Sequence, residues 1–152
     1  MSDKAVGIGL CGLGTVGSGT FNVLDRNAME ISARAQASIR LVHVGARRDN
    51  PQCELGDLRV SRDIFEVARD PQVDILVELI GGTTTARELV EEAIRNGKHV
   101  VTANKALIAE FGNEIFALAE EHGVTVRYEA AVAGGIPIIK ALREGLAGNR
   151  IE

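Results

Sequence analysis

The chain has 152 residues, enough for one domain with a buried core; its net charge of −4 and 3% aromatic content exclude a general nucleic-acid binder built on basic patches and base-stacking platforms. Hydrophobic residues at 45% and charged residues at 25% are the proportions of a soluble globular chain. No apolar run approaches the roughly 20 residues of a membrane span, so no membrane partner is expected. The start, Met1-Ser2-Asp3-Lys4, lacks a signal-peptide layout. Cys11 lies in an apolar run and Cys53 in a polar one. Together they read as reduced thiols of a cytoplasmic protein, not as a disulfide framework. No nearby histidine supports a catalytic cysteine.

Val6–Cys11 reads as a strand that runs straight into Gly12-Leu13-Gly14-Thr15-Val16-Gly17. A helical pattern follows, with Phe21, Leu24, Ala28 and Ile31 on one face. This is G-x-G-x-x-G with a strand before it and a helix after it, the setting in which the motif has a mechanism. Gly12 permits the tight turn, Gly14 lets a pyrophosphate approach the main chain, and Gly17 lets the helix pack on the strand. The N–H groups and positive dipole at the helix start favour phosphates. A strand-turn-helix that uses small residues only for packing is the competing reading; the strand context favours a bound dinucleotide.

The tail of that helix, Glu30–Ser38, is longer than a usual crossover. A second strand is expected over Ile39–Ala46, and a loop over Asp49–Val60, where Pro51 and Gly56 act as breakers. Ser61 can cap a short helix carrying Ile64, Phe65, Val67 and Ala68. The third strand reads Val73–Ile80 and ends at Gly81-Gly82. Thr85-Ala86-Arg87-Glu88 fits a capping box. Its helix places Ala86, Leu89, Val90, Ala93 and Ile94 on one face and ends at Gly97. His99–Thr102 reads as a strand, Asn113–His122 as a helix ended by Gly123, and Val124–Glu129 as the fifth strand. After the small-residue loop Ala130–Gly135, Pro137 opens a helix that runs to about Ala147.

This alternation predicts an α/β fold of Rossmann type: a doubly wound, mainly parallel sheet with helices on both faces. Ligands of such sheets bind beyond the carboxyl ends of the strands. That selects the loops Gly12–Gly17, Arg47-Arg48, Gly81–Thr84, Ala103–Lys105 and Ala130–Gly135. After the second strand, an acidic residue takes the ribose 2′-OH of NAD, whereas arginine accommodates a 2′-phosphate. Here Arg47 and Arg48 come first and Asp49 third. The guanidinium fork suits a phosphate dianion, which favours NADP with NAD tolerated; solvated surface arginines are the plainer alternative. His43, His99 and His122 fit no acid/base constellation, and the first two fall inside strand patterns.

Three further segments are Glu78-Leu79-Ile80-Gly81-Gly82, Val100-Val101-Thr102-Ala103-Asn104-Lys105, and the run EAAVAGGIPII over Glu129–Ile139. With the glycine turn, they resemble homoserine dehydrogenase, in the order of that family's N-terminal half and over nearly the whole chain. The resemblance implies NAD(P)H-dependent interconversion of L-aspartate 4-semialdehyde and L-homoserine, a step towards threonine, methionine and isoleucine. It implies cofactor contacts from Leu13, Thr15 and Val16, 2′-phosphate contacts from Arg47 and Arg48, and Ile80 and Gly81 beside the ribose and nicotinamide. Lys105 would stand at the cofactor–substrate junction, where hydride transfer to an aldehyde needs a proton or positive charge at the developing alkoxide. A sodium ion is also implied, held by Glu129 and the carbonyls of Val132, Gly134 and Ile136, all oxygen donors suited to a hard cation. Apart from the resemblance, Lys105 reads as a surface lysine, and Glu129 equally as a cap or ion-pair partner.

By the same resemblance, residues 1–135 form the nucleotide domain and residues 136–152 a helix leading towards a substrate and dimerisation domain. The chain is expected to lack that domain and the second catalytic lysine it carries. The partners expected are a small-molecule substrate and a second copy in a homo-oligomer. The apolar face of Ile136, Ile138, Ile139, Leu142 and Leu146 is then exposed or covered by self-association. A stand-alone dinucleotide-binding or sensing module without catalysis is the alternative.

Overall fold

The computed structural model describes residues 5–134 and 136–148. The start read for a signal peptide, Gly135 of the small-residue loop, and residues 149–152 lie outside the described residues. Strands β1 (Val6–Cys11), β2 (Ile39–Gly45), β3 (Arg59–Ser61), β4 (Ile75–Glu78), β5 (His99–Thr102) and β6 (Val126–Arg127) form one sheet. Its order is β3-β2-β1-β4-β5-β6, and every neighbouring pair is parallel. The helices are α1 (Thr15–Arg26), α2 (Ala28–Ala35), α3 (Phe65–Arg69), α4 (Thr84–Arg95), α5 (Lys105–Glu121) and α6 (Ile138–Lys140).

Side chains alternate across the sheet, so each strand feeds two cores. Leu76 and Val100 join Leu89, Ile94, Leu107 and Ile115 beneath α4 and α5. Val77, Leu10 and Val44 join Phe21 of α1 on the opposite face. The fold is the expected doubly wound α/β sheet with helices on both faces. Strand order reverses between β1 and β4, which opens a crevice at their carboxyl ends.

Several elements differ from their sequence patterns. The single long helix expected after the glycine turn is two, parted at Asn27, where φ is −107° and ψ is 18°. The bend lets Ser32 Oγ accept the Ile39 N–H at 3.0 Å, which ties α2 to the start of β2. The expected loop Asp49–Val60 gives way to β3, an edge strand paired with β2. Ser61 ends that strand and is not a cap; Asp63 Oδ1 instead accepts the Phe65 N–H at 2.9 Å. The capping box at Thr85–Glu88 does not form, because α4 begins at Thr84 and no side chain caps it. Helix α5 begins at Lys105, well before Asn113, because Asn104 Oδ1 accepts the Leu107 N–H at 3.1 Å. Strand β4 is shorter than Val73–Ile80, and β6 ends before Glu129, which starts a 3-10 turn. Past Lys140 the last helix widens into a π turn over Ala141–Gly145.

The β3 edge is held by buried polar contacts. His43 is fully buried on β2, with Nδ1 at 2.8 Å from Asp70 Oδ2 and Nε2 at 2.8 Å from Ser61 Oγ. Ser61 donates to Glu66 Oε2 at 2.6 Å, and Arg59 donates to Asp70 Oδ2 at 3.0 Å. Burial opposes ionisation of Asp70, but the Gln72 N–H, the His43 ring and Arg59 outweigh it and hold the carboxyl below the usual range. A carboxyl lowered in the folded state stabilises above its unfolded pKa, and that contribution is lost as pH falls through the folded value. Resistance to urea should therefore drop on acidification below about pH 4. Asp70→Asn should cost about 3 kcal/mol at neutral pH and flatten this acid dependence. Urea melts of both forms between neutral pH and pH 3 check both outcomes.

Candidate dinucleotide site

The site is built on the turn after β1. Gly12 takes φ +101°, and a Cβ there would lie 2.7 Å from the Leu79 carbonyl oxygen. A Cβ on Gly17 would lie 2.0 Å from the Gly12 carbonyl oxygen. Only hydrogen fits at either place, so α1 rests on the turn that launches it. A Cβ on Gly14 meets nothing within 4 Å and would project into open space. Helix α1 has no side-chain N-cap and no acidic residue in its first turn, so its N-terminal dipole carries no local negative charge. An open backbone edge beside such a helix start fits a pyrophosphate.

In front of the turn lies a cavity of about 910 Å³, within the size range of cofactor sites. The loops after four strands line it: Gly12, Leu13 and Gly14 after β1, Arg47 and Arg48 after β2, Arg62 after β3, and Leu79 and Ile80 after β4. Thr15, Val16, Gly81 and Lys105 are not among its lining residues; all four are solvent-exposed, and Gly17 is buried under the turn.

The lining includes Asp49, Asn50, Arg62 and Thr85, of which the last three were not singled out from the sequence. Asn50 Nδ2 donates to the Leu13 carbonyl at 2.9 Å and ties its loop to the glycine turn. Arg62 donates to the Ala46 carbonyl at 3.0 Å and to Asp49 Oδ1 at 2.9 Å. Arg62 follows β3, so reading that strand as loop concealed it. Thr85 fits a capping box in the sequence, whereas the structure places it at the cavity wall.

Lys105 is the first residue of α5, and Asn104, just before it, donates to the Gly82 carbonyl at 2.6 Å. Glu129 Oε1 accepts the Ile139 N–H at 2.9 Å, and Oε2 accepts the Lys140 N–H at 3.1 Å, so this carboxylate caps the last helix. Ala133 and Gly134 take left-handed backbone, φ +55° and +59°, and the Ile136 carbonyl accepts the Ile138 N–H at 2.8 Å. Among the described residues, no three His, Cys, Asp or Glu side chains gather as metal ligands. Burial and the nearby Glu78 charge push the Cys11 thiol up, and burial raises that of Cys53, which keeps both protonated. No helix among the described residues is long and apolar enough to cross a membrane.

A family model described as "Homoserine dehydrogenase, NAD binding domain" matches residues 12–129. The chain belongs to the homoserine dehydrogenase family. It is 64% identical over 148 residues to the homoserine dehydrogenase of Pseudomonas aeruginosa, covering 97% of this chain and 34% of that protein. A homoserine dehydrogenase crystal structure from Thiobacillus denitrificans matches with a TM-score of 0.91 and 60% identity, over 98% of this chain and 35% of that one. A hyperthermophilic archaeal homoserine dehydrogenase in complex with NADPH matches with a TM-score of 0.78 and 26% identity, over 95% of this chain and 50% of that one. The chain thus spans about a third of the length of the curated relatives it matches (34%). As a homoserine dehydrogenase NAD-binding domain, it is built to hold a nicotinamide dinucleotide.

The glycines separate fold from binding. Gly17→Ala should cost about 2 kcal/mol, through overpacking against backbone. Gly14→Ala should leave the melting temperature unchanged and weaken dinucleotide binding. Thermal melts with titration calorimetry on both variants test this; equal losses of stability would remove the distinction.

Proposed function

We propose that this chain is the dinucleotide-binding part of a homoserine dehydrogenase that interconverts L-aspartate 4-semialdehyde and L-homoserine and prefers NADP(H) to NAD(H). The observation that carries the cofactor preference is the pairing of Asp49 with Arg62 at 2.9 Å beside two exposed arginines on the cavity wall. The carboxylate that would take a ribose 2′-hydroxyl is engaged elsewhere, and Arg47 and Arg48 offer their forks to a 2′-phosphate. Gly14 leaves room for the pyrophosphate, and the start of α1 supplies N–H donors. Ile80 and Gly81, after β4, are assigned to the ribose and nicotinamide end.

When bound, the dinucleotide supplies or accepts the hydride. Lys105 is assigned to the substrate oxygen, where its ammonium offsets the negative charge that develops as the carbonyl is reduced. A cation at the first position of a helix opposes the helix dipole, so helix stability does not account for a lysine there. Glu129 and the carbonyls of Val132, Gly134 and Ile136 are assigned to a sodium ion. The donor set is all oxygen, as a hard cation requires, and a carboxylate that caps a helix keeps further lone pairs for it. Residues 1–135 are assigned to the nucleotide domain, and residues 136–152 to the passage towards the rest of the protein. Exposed Ile136 and Leu146 support burial of that passage in a homo-oligomer, and protonated free thiols fit a cytoplasmic location.

NADPH should bind the purified chain more tightly than NADH, and Arg47→Ala should lower NADPH affinity about tenfold while narrowing the gap. Equal affinities, unaltered by the substitution, would remove the NADP preference. Sodium should raise the melting temperature of the parent chain in a potassium-free buffer but not that of Glu129→Gln. The same response in both would leave Glu129 as a helix cap alone.

A further inference from the structure

Glu78, the last residue of β4, is fully buried, and nothing above gives it a role. Its Oε1 accepts the Ile80 N–H at 3.0 Å, and its Oε2 accepts the Thr102 hydroxyl at 2.5 Å. Thr102 Oγ1 in turn accepts the Asn104 N–H at 3.0 Å. Asn104 then works in two directions: Oδ1 caps α5 through the Leu107 N–H, and Nδ2 donates to the Gly82 carbonyl. These bonds close a ring that joins the loop after β4 to the loop after β5 and sets Lys105 at the head of α5.

Sheet pairing alone does not call for this ring. Glu78 and Thr102 are register partners in a ladder whose backbone bonds hold β4 to β5 without their side chains. A desolvated carboxylate is expensive, and an apolar pair of similar volume often packs as well or better. The donors to Glu78 are an amide and a hydroxyl, with no cation among the described residues to offset its burial, and its β1 register partner is the protonated thiol of Cys11.

We propose that Glu78 is a positioning residue: through Thr102 and Asn104 it fixes the Ile80–Gly82 loop relative to Lys105, and so sets the nicotinamide end of the site. The proposal rests on the dinucleotide reading above. Glu78 touches no ligand; it acts from beneath, by holding the backbone on which the nicotinamide half lies. The adenosine half, against Arg47, Arg48 and Arg62, lies outside the ring and does not depend on it.

That division gives the test. The full 152-residue chain is titrated calorimetrically with NADPH and with 2′,5′-ADP, which carries the adenosine half and its 2′-phosphate but no nicotinamide. Thr102→Val removes the hydroxyl at nearly constant volume, Thr102→Ser keeps it, and Glu78→Gln neutralises the carboxylate. Asn104→Ser retains a good helix cap but breaks the link to Gly82. Thr102→Val and Glu78→Gln should each weaken NADPH about fivefold or more, the effect of one lost buried hydrogen bond, and Asn104→Ser, whose bond to Gly82 is exposed, should weaken it about twofold to threefold. They should leave 2′,5′-ADP within about twofold, while Thr102→Ser binds both ligands like the parent. Parallel losses for the two ligands would assign Glu78 to the fold alone, and unchanged NADPH affinity in Asn104→Ser and Thr102→Val would show that the ring positions nothing. A parent chain that binds neither ligand overturns the dinucleotide reading itself; a parent that binds both separates the two failures.

Discussion

The contact between Gly17 and the Gly12 carbonyl leaves no room for a methyl group, and the geometry of the site descends from it. It brings the axis of α1 down onto the turn and thereby decides where the helix N-terminus points. Gly12 is confined on its other flank by the Leu79 carbonyl, so the turn is wedged between its own helix and the end of β4. Its N–H bonds to the Gly45 carbonyl at 2.8 Å, which adds the end of β2. Three strand ends thus meet one turn through main-chain contacts, and the cavity is the space they leave. Side chains decorate it afterwards.

The charged loops after β2 and β3 and the polar ring around Glu78 are stabilised differently. In the loops after β2 and β3 the groups are charged and exposed: Arg47, Arg48, and the Asp49–Arg62 pair, whose side chains are 61% and 56% accessible. An exposed pair of that kind contributes about 0–1 kcal/mol. Around Glu78, itself fully buried, the donors are the Ile80 amide and the Thr102 hydroxyl, and the Asn104 side chain beyond them is partly exposed. Rearranging that set means leaving a desolvated polar group without a partner. The ring around Glu78 is therefore the more rigid of the two.

What could be read in the sequence was whatever depends on local pattern. Strand β1, the glycine turn and the buried face of α4 all follow from residues within one window, and the βα alternation fixed the topology. Strand β3 could not be read, because three residues after Pro51 and Gly56 carry no period. Arg59 and Ser61 are held there by Asp70 and His43, contacts across the fold. The start of α5 is hidden because Ala103–Lys105 reads as a site loop; Asn104 is both a link to Gly82 and a helix cap. The break at Asn27 has no proline or glycine to announce it. Within the site, the arginines after β2 were legible from position, whereas Arg62 needed β3 to exist first, and Glu78 needed Thr102 from a different strand.

Both margins of the sheet are stubs: β3 has three residues and β6 has two. Typical strands are roughly five or six residues long, so a strand from another molecule finds little unpaired backbone to zip onto. Each stub also carries an exposed arginine, Arg59 on one margin and Arg127 on the other. A charged side chain on an edge strand discourages pairing by another chain. The margins of this sheet thus offer little template for another molecule's strand.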